Sequence, residues 1–204
     1  MSSLTLQQWQ QKADQLIICG QAYINGQYVD ALSGKTFVSK SPIDGRELAQ
    51  IAECGEADVD AAVACARLAF DSGVWSETKP AFRKKIMQAL ANLMETNKQE
   101  LALLETLDMG KPITTALGDV DSSINSIRWY AEAIDKVYDE IAATGPTELG
   151  MITRQPLGVI GAIVPWNFPL SMACWKLGPA LATGNSVVLK PSEKSSLTAI
   201  RLAA

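Results

Sequence analysis

The sequence predicts an α/β fold, in which N-terminal helices and hairpins precede the start of a parallel-sheet domain built on one βαβ unit. Three observations predict it. Turn-forming Asn25-Gly26 and Asp44-Gly45 sit between short apolar runs, a helical period runs through residues 56 to 109, and the apolar run 159–164 leads into a loop, a helix, a turn and a second apolar run. At 204 residues the chain is long enough to bury a substantial core.

The first 20 residues, MSSLTLQQWQQKADQLIICG, lack a basic start, a continuous apolar core and a small-residue cleavage site, so they do not read as a secretory leader. Leu6, Trp9, Ala13, Leu16 and Ile17 share one helical face, which predicts a short surface helix with a docking stripe. Residues 21 to 55 predict two hairpins, because Asn-Gly and Asp-Gly pairs tolerate positive φ. From Glu56 the period becomes helical. Val59, Ala62, Val63, Ala66 and Phe70 mark a first helix, Ile86, Leu90, Leu93 and Met94 a second, and Leu101, Leu104 and Leu107 a third. Pro112 lies near the start of a fourth, with Ile124, Ile127, Trp129, Ile134 and Val137. The Trp129-Tyr130 pair and the stripe from Leu101 to Leu107 are assigned to the core.

Residues 140–157, with Gly145-Pro146 and Gly150, read as extended connections. The chain therefore divides into a helical and hairpin part (1–139), an extended segment (140–157) and a βαβ unit (158–204). In the last part, 159–164 reads as a strand buried on both faces, Leu170 to Thr183 as a helix ended by Gly184-Asn185, and Ser186 to Lys190 as a second strand.

Composition excludes several chemistries. The 18 Lys and Arg against 22 Asp and Glu leave a net charge of −4, so nucleic acid is not an expected partner. With no histidine, Ser-His-Asp, Cys-His and His-zinc sites cannot be built from this chain, and no metal is expected. Cys19, Cys54, Cys65 and Cys174 form no CxxC pair and read as reduced thiols. No run reaches the roughly 18 to 20 apolar residues that a bilayer crossing needs, so no membrane partner and a cytoplasmic location are expected.

Ligands of parallel sheets bind beyond the carboxyl ends of the strands. That places the loop Pro165-Trp166-Asn167-Phe168-Pro169 and the loop Lys190-Pro191-Ser192-Glu193 on one rim. The first loop has no GxGxxG, so the residues alone reach a nucleotide crevice and no further.

The stretch VIGAIVPWNFPLSMACWKLGPALATGNSVVLKPSEKS resembles the opening of the cofactor domain of the NAD(P)-dependent aldehyde dehydrogenases. YINGQYVDALSGKTF, SPIDGRELAQIAE, LALLETLDMGKP and IRWYAEAIDKVY resemble the same superfamily in the same order, so the likeness spans nearly all of residues 21 to 204. Within it, these segments look most like the bacterial γ-glutamyl-γ-aminobutyraldehyde dehydrogenases of putrescine breakdown. The resemblance implies a Rossmann-like cofactor domain, with 1–139 as its N-terminal part, 158–204 as its first and incomplete βαβ unit, and 140–157 as an oligomerisation arm. It also implies oxidation of an aldehyde, a γ-glutamylated aminoaldehyde in that branch, to the carboxylic acid.

In the family a cysteine thiolate attacks the aldehyde, the oxyanion so formed passes a hydride to nicotinamide, and a glutamate-activated water hydrolyses the thioester. Asn167 matches the asparagine whose amide donates to that oxyanion, and losing one such donor typically costs about 2.7–4 kcal/mol of barrier. Lys190 and Glu193 match positions beside the adenosine ribose. A carboxylate there repels a 2′-phosphate, so NAD is expected over NADP. Ile163, Pro165 and Trp166 match residues lining the cofactor cleft. Read alone, an Asn between prolines is turn chemistry, and Lys190 with Glu193 is a solvated strand end before a helix start. The matched context carries the other reading.

The match also has a departure. The family's nucleophile stands in a glutamine-x-cysteine stretch and its general base in an ExGG stretch, both beyond the point where this sequence stops, as is the Gly-rich FTGS segment. None of the four cysteines has such a context, and Cys174, beside Trp175 and Leu177, reads as a small buried hydrophobe. The expectation is a truncated member of the family, inactive alone. Two other readings stay open: a non-enzymatic module that assembles with another copy or an intact subunit, and one half of a split enzyme.

Overall fold

The computed structural model of the protein describes residues 4–204. Residues 1–3, part of the stretch read for a leader and of the 1–139 segment, lie outside the described residues. Helix α1 (Leu6–Asp14) starts at a capping box, in which the Thr5 N–H donates to Gln8 Oε1 at 2.8 Å and the Gln8 N–H donates to the Thr5 hydroxyl. Trp9, Ala13 and Leu16 of the expected stripe are half-buried, whereas Leu6 and Ile17 face solvent.

Both expected hairpins form. Strands β1 (Ala22–Ile24) and β2 (Gln27–Val29) pair antiparallel across a two-residue turn, with Asn25 and Gly26 at φ of 54° and 74°. Strands β3 (Thr36–Lys40) and β4 (Glu47–Ala52) pair through the longer connection 41–46, with Gly45 at φ 74° and a register shift between Ser39 and Lys40.

Helices α2 (Glu56–Asp71), α3 (Pro80–Thr96), α4 (Lys98–Met109) and α5 (Ile113–Ala133) follow. Helix α5 is the hub, packed against α3, α4 and α6 (Pro169–Ala182). Its buried Ala116, Val120, Ile124, Ile127 and Ala131 recur at spacings of three and four, the stripe that one helical face presents. The stripe from Leu101 to Leu107 is buried, as expected.

Three helical faces differ from expectation. On α2, Val59 and Val63 are exposed. On α3 the core residues are Met87, Ala91 and Met94, while Ile86 and Leu93 are exposed: near 100° per residue, a face that includes Met87 and Ala91 turns Ile86 and Leu93 outward. In the Trp129-Tyr130 pair, Tyr130 packs against the core but Trp129 is 64% exposed, at a surface groove that Tyr130 and Trp175 and Lys176 of α6 also line.

The segment 140–157 contains a short antiparallel hairpin, β5 (Glu140–Ala142) with β6 (Gly150–Ile152), that leaves Ile141, Leu149 and Met151 exposed. Strands β7 (Val159–Ile163) and β8 (Ser186–Lys190) are parallel and joined by α6, which is the expected βαβ unit. The chain closes with α7 (Leu197–Ala203). The expected burial of β7 on both faces is not met. Half-buried Ile160 and buried Ala162 lie on one face, while on the other Val159 is half-buried and Gly161 and Ile163, the latter 79% exposed, are open to solvent. Among the described residues, no helix is long and apolar enough to cross a membrane.

Helix α6 lies so close to α5 that a Cβ at Gly178 would stand 2.4 Å from Tyr130 Cδ2. In an open helix, Gly to Ala gains about 1 kcal/mol. Here overpacking of about 1–3 kcal/mol opposes that gain, so Gly178→Ala is expected to lower the urea midpoint. An unchanged or raised midpoint would show that the two helices can separate freely.

Candidate functional site

The rim begins where β7 and β8 end side by side. Ile163 is in register with Lys190, and the Val164 N–H donates to the Lys190 carbonyl at 3.1 Å. The two loops that leave these strands are tied directly: Ser195 Oγ, fully buried, donates to the Trp166 carbonyl at 3.0 Å. Trp166 and Glu193 thereby line one cleft of about 350 Å³ with Lys194, the end of β3 and the end of α4.

Not every predicted residue reaches that cleft. Lys190 meets Glu193 in an exposed ion pair of 3.5 Å, a contact of little energy in solvent. Pro165 and Asn167 are exposed on the loop outside the cleft lining, and Ile163 is exposed at the strand tip. The Asn167 amide has no hydrogen-bond partner among the described residues. Glu193 is held below the usual carboxylate range, first by its own backbone N–H and then by Lys190, so it is charged at neutral pH.

Residues with no predicted role hold these loops. The N-cap of α6 is Phe168, which has no side-chain oxygen, and the cap of α7 is Ser196, whose hydroxyl makes no cap bond. Helix α4 supplies both acceptors. Glu105 Oε1 accepts the Leu170 N–H at 3.1 Å, and Asp108 Oδ2 accepts the Leu197 N–H at 3.0 Å while its Oδ1 takes the Ser39 hydroxyl at 2.9 Å. The other Glu105 oxygen faces the Lys111 ammonium at 3.5 Å, which also pairs with Asp119 and sits 4.5 Å from the centroid of the Phe168 ring.

The far end of α6 is fastened as firmly. Trp75 Nε1 donates to the Leu181 carbonyl at 3.0 Å and Arg83 Nε to the Ala182 carbonyl at 3.1 Å, a cation at the negative helix end. Buried Asn185 accepts from the Gly158 N–H at 2.9 Å and donates to Ala180 O and Thr183 Oγ1, which joins the start of β7 to the turn before β8. The sequence signal for the α4 carboxylates was their position: Glu105 and Asp108 interrupt the stretch Leu101–Met109, which is otherwise apolar except for Thr106.

Residues 28–204 match the aldehyde dehydrogenase family. The chain belongs to the aldehyde dehydrogenase family. It is 56% identical over 196 residues to the NADP/NAD-dependent aldehyde dehydrogenase PuuC of Escherichia coli, covering 96% of this chain and 40% of that protein. It is 50% identical to an aminoacetaldehyde dehydrogenase of Pseudomonas aeruginosa over 89% of this chain and 37% of that one. A gamma-glutamyl-gamma-aminobutyraldehyde dehydrogenase from Burkholderia cenocepacia superposes with a TM-score of 0.97 at 57% identity, over 98% of this chain and 41% of that chain. An indole-3-acetaldehyde dehydrogenase of P. syringae, solved in complex with NAD+, does so at 60% identity and 0.97, with 98% and 41% covered. The chain thus spans about 40% of the length of the relatives it matches. The expected family and fold are borne out.

Burial is the largest influence on Glu105 and Asp108 and pushes both above the usual carboxylate range, against the N–H donors that lower them. An acid raised on folding contributes stability that is complete below its unfolded pKa and is lost as pH rises through the folded value. Glu105→Gln and Asp108→Asn, neutral throughout, are therefore expected to gain on the wild type as pH rises from about 4 to about 8. Asp108→Ala, which orphans a buried N–H, is expected to cost about 1–3 kcal/mol at any pH. Urea unfolding across that pH range measures both, and parallel curves for the wild type and the neutral variants would contradict the assignment.

Proposed function

We propose that the chain is the coenzyme-side part of an NAD-dependent, cytoplasmic aldehyde oxidoreductase, and that the whole enzyme acts on a γ-glutamylated aminoaldehyde. The observation that carries the coenzyme reading is the Ser195 to Trp166 tie, which holds two loops together at the carboxyl ends of two parallel strands. The donor set suits a dinucleotide. The Lys190 ammonium can donate to ribose hydroxyls, and the ionised Glu193 can accept from a 2′-hydroxyl while repelling a 2′-phosphate. Bound NAD would supply the hydride acceptor, and this chain's residues bind and orient it. Ile163, Pro165 and Trp166 offer it apolar surface, and the unpartnered Asn167 amide is free to donate to an oxygen on which negative charge develops. The substrate assignment draws on the relatives named for γ-glutamyl-γ-aminobutyraldehyde and for aminoacetaldehyde.

None of the four cysteines suits the nucleophile. Cys174 is fully buried and its thiol is pushed up to about 12, mainly by burial; burial and the nearby Asp58 charge raise Cys54 as well. Cys65 lies on α2 and Cys19 packs beside Leu104 and Leu197, and neither lines the rim cleft. Calorimetric titration with NAD and NADP tests the coenzyme reading, and the same samples, given an aminoaldehyde, are expected to show no turnover. NAD is expected to bind the wild-type chain more tightly than NADP, and Glu193→Gln to narrow the gap by roughly tenfold, the equivalent of about 1.4 kcal/mol. Asn167→Ala should leave NAD affinity unchanged. Equal affinity of the wild type for both coenzymes, or no uptake of NAD, would refute this reading.

A second reading concerns assembly. Ile141, at 75% exposed, and Met151 stand out on the β5–β6 hairpin, apolar side chains on a short strand pair with open edges. This hairpin is expected to pair with a second copy of the chain. Sedimentation should then show a dimer that Ile141→Lys with Met151→Lys returns to monomer, and a wild type that stays monomeric at high concentration would count against it.

A further inference from the structure

The Lys111 side chain is enclosed, only 9% exposed, yet it does more than neutralise Glu105 and Asp119. A counterion needs no aromatic neighbour, whereas this ammonium lies 4.5 Å from the centroid of the Phe168 ring. That ring belongs to the residue directly after Asn167 and is the N-cap of α6. Glu105 therefore reaches the loop by two routes: its Oε1 takes the backbone N–H of Leu170, and its Oε2 holds the ammonium that holds the ring. The two routes grip the chain on either side of Pro169.

We propose that Lys111 is a positioning residue for the Trp166-Asn167-Phe168 loop, acting through a cation–π contact that fixes the Phe168 ring and with it the direction of the Asn167 amide. Why this matters rests on reading Asn167 as an oxyanion donor; the contact itself does not. The geometry favours this over a general packing role. Phe168 is 42% exposed, and among the described residues the Lys111 ammonium is the one cation that lies over its ring. The backbone just before it carries an unpartnered amide that no hydrogen bond among the described residues would hold.

Nuclear magnetic resonance on the full 204-residue chain, without coenzyme or aldehyde, tests the proposal. An ammonium over a ring face places the Lys111 ε-methylene protons upfield of those of the other lysines. Phe168→Leu should return them to the common position. Lys111→Met should move the side-chain amide peaks of Asn167 and the indole N–H of Trp166, Lys111→Arg should leave both near the wild-type positions, and Lys111→Met added to Phe168→Leu should move them no further than Phe168→Leu alone. Where Lys111→Met does not fold, the Phe168→Leu and Lys111→Arg arms decide. Lys111 protons at the common position in the wild type, or a Lys111→Met displacement that persists in full without the ring, overturns the proposal. Since no ligand is present, a chain that fails to bind NAD leaves this result standing, and the reverse holds too.

Discussion

Two carboxylates one helical turn apart carry the rim. Glu105 and Asp108 lie on the same face of α4, and each accepts an early backbone N–H of one of the helices that follow the two parallel strands. Neither helix caps itself, since Phe168 has no acceptor and the Ser196 hydroxyl is not used as one. Without α4, two buried donors would go unsatisfied, at about 1–3 kcal/mol each. Because both acceptors sit on one rigid element, the starts of α6 and α7 cannot drift apart without breaking a bond that burial makes expensive to lose. The Ser195 to Trp166 bond then closes the gap between the loops themselves.

Much of the fold was legible because local chemistry decides it. An Asn-Gly pair admits positive φ at both positions, so the first hairpin follows from two residues. The βαβ unit follows from a run too apolar for an exposed strand, a loop with two prolines, and a second run of matching length. What stayed hidden depends on partners that a period does not specify. Ile86 and Leu93 are as hydrophobic as Met87 and Ala91, and only the position of α5 chooses between those faces.

In the site, the sequence named the rim and not what steadies it. Lys190, Glu193 and Trp166 stand in loops, where a motif is visible. Glu105, Asp108 and Lys111 stand in or beside a helix, where charged residues ordinarily mark the solvated face. The clue was that α4 offers no such face: Leu101, Ala102, Leu103, Leu104 and Leu107 are all buried around the carboxylates. Asn185 was hidden differently. Gly184-Asn185 reads correctly as a turn, but the buried amide spends its oxygen on Gly158 and so anchors the other strand.

The same residue type thus takes two roles, and environment assigns them. Glu193 is open to water and close to its own N–H and to Lys190, and it stays ionised at neutral pH. Glu105 is enclosed, is pushed toward its neutral form by burial, and has both oxygens committed to Leu170 and Lys111. A carboxylate with both oxygens committed cannot serve a ligand without releasing the fold. One that is charged and uncommitted costs the fold little when it turns to a ligand, since its surface ion pair contributes almost nothing to lose. On the coenzyme reading proposed above, an alteration at Glu193 would change recognition with the scaffold unchanged, whereas one at Glu105 would move the scaffold first and recognition only as a consequence.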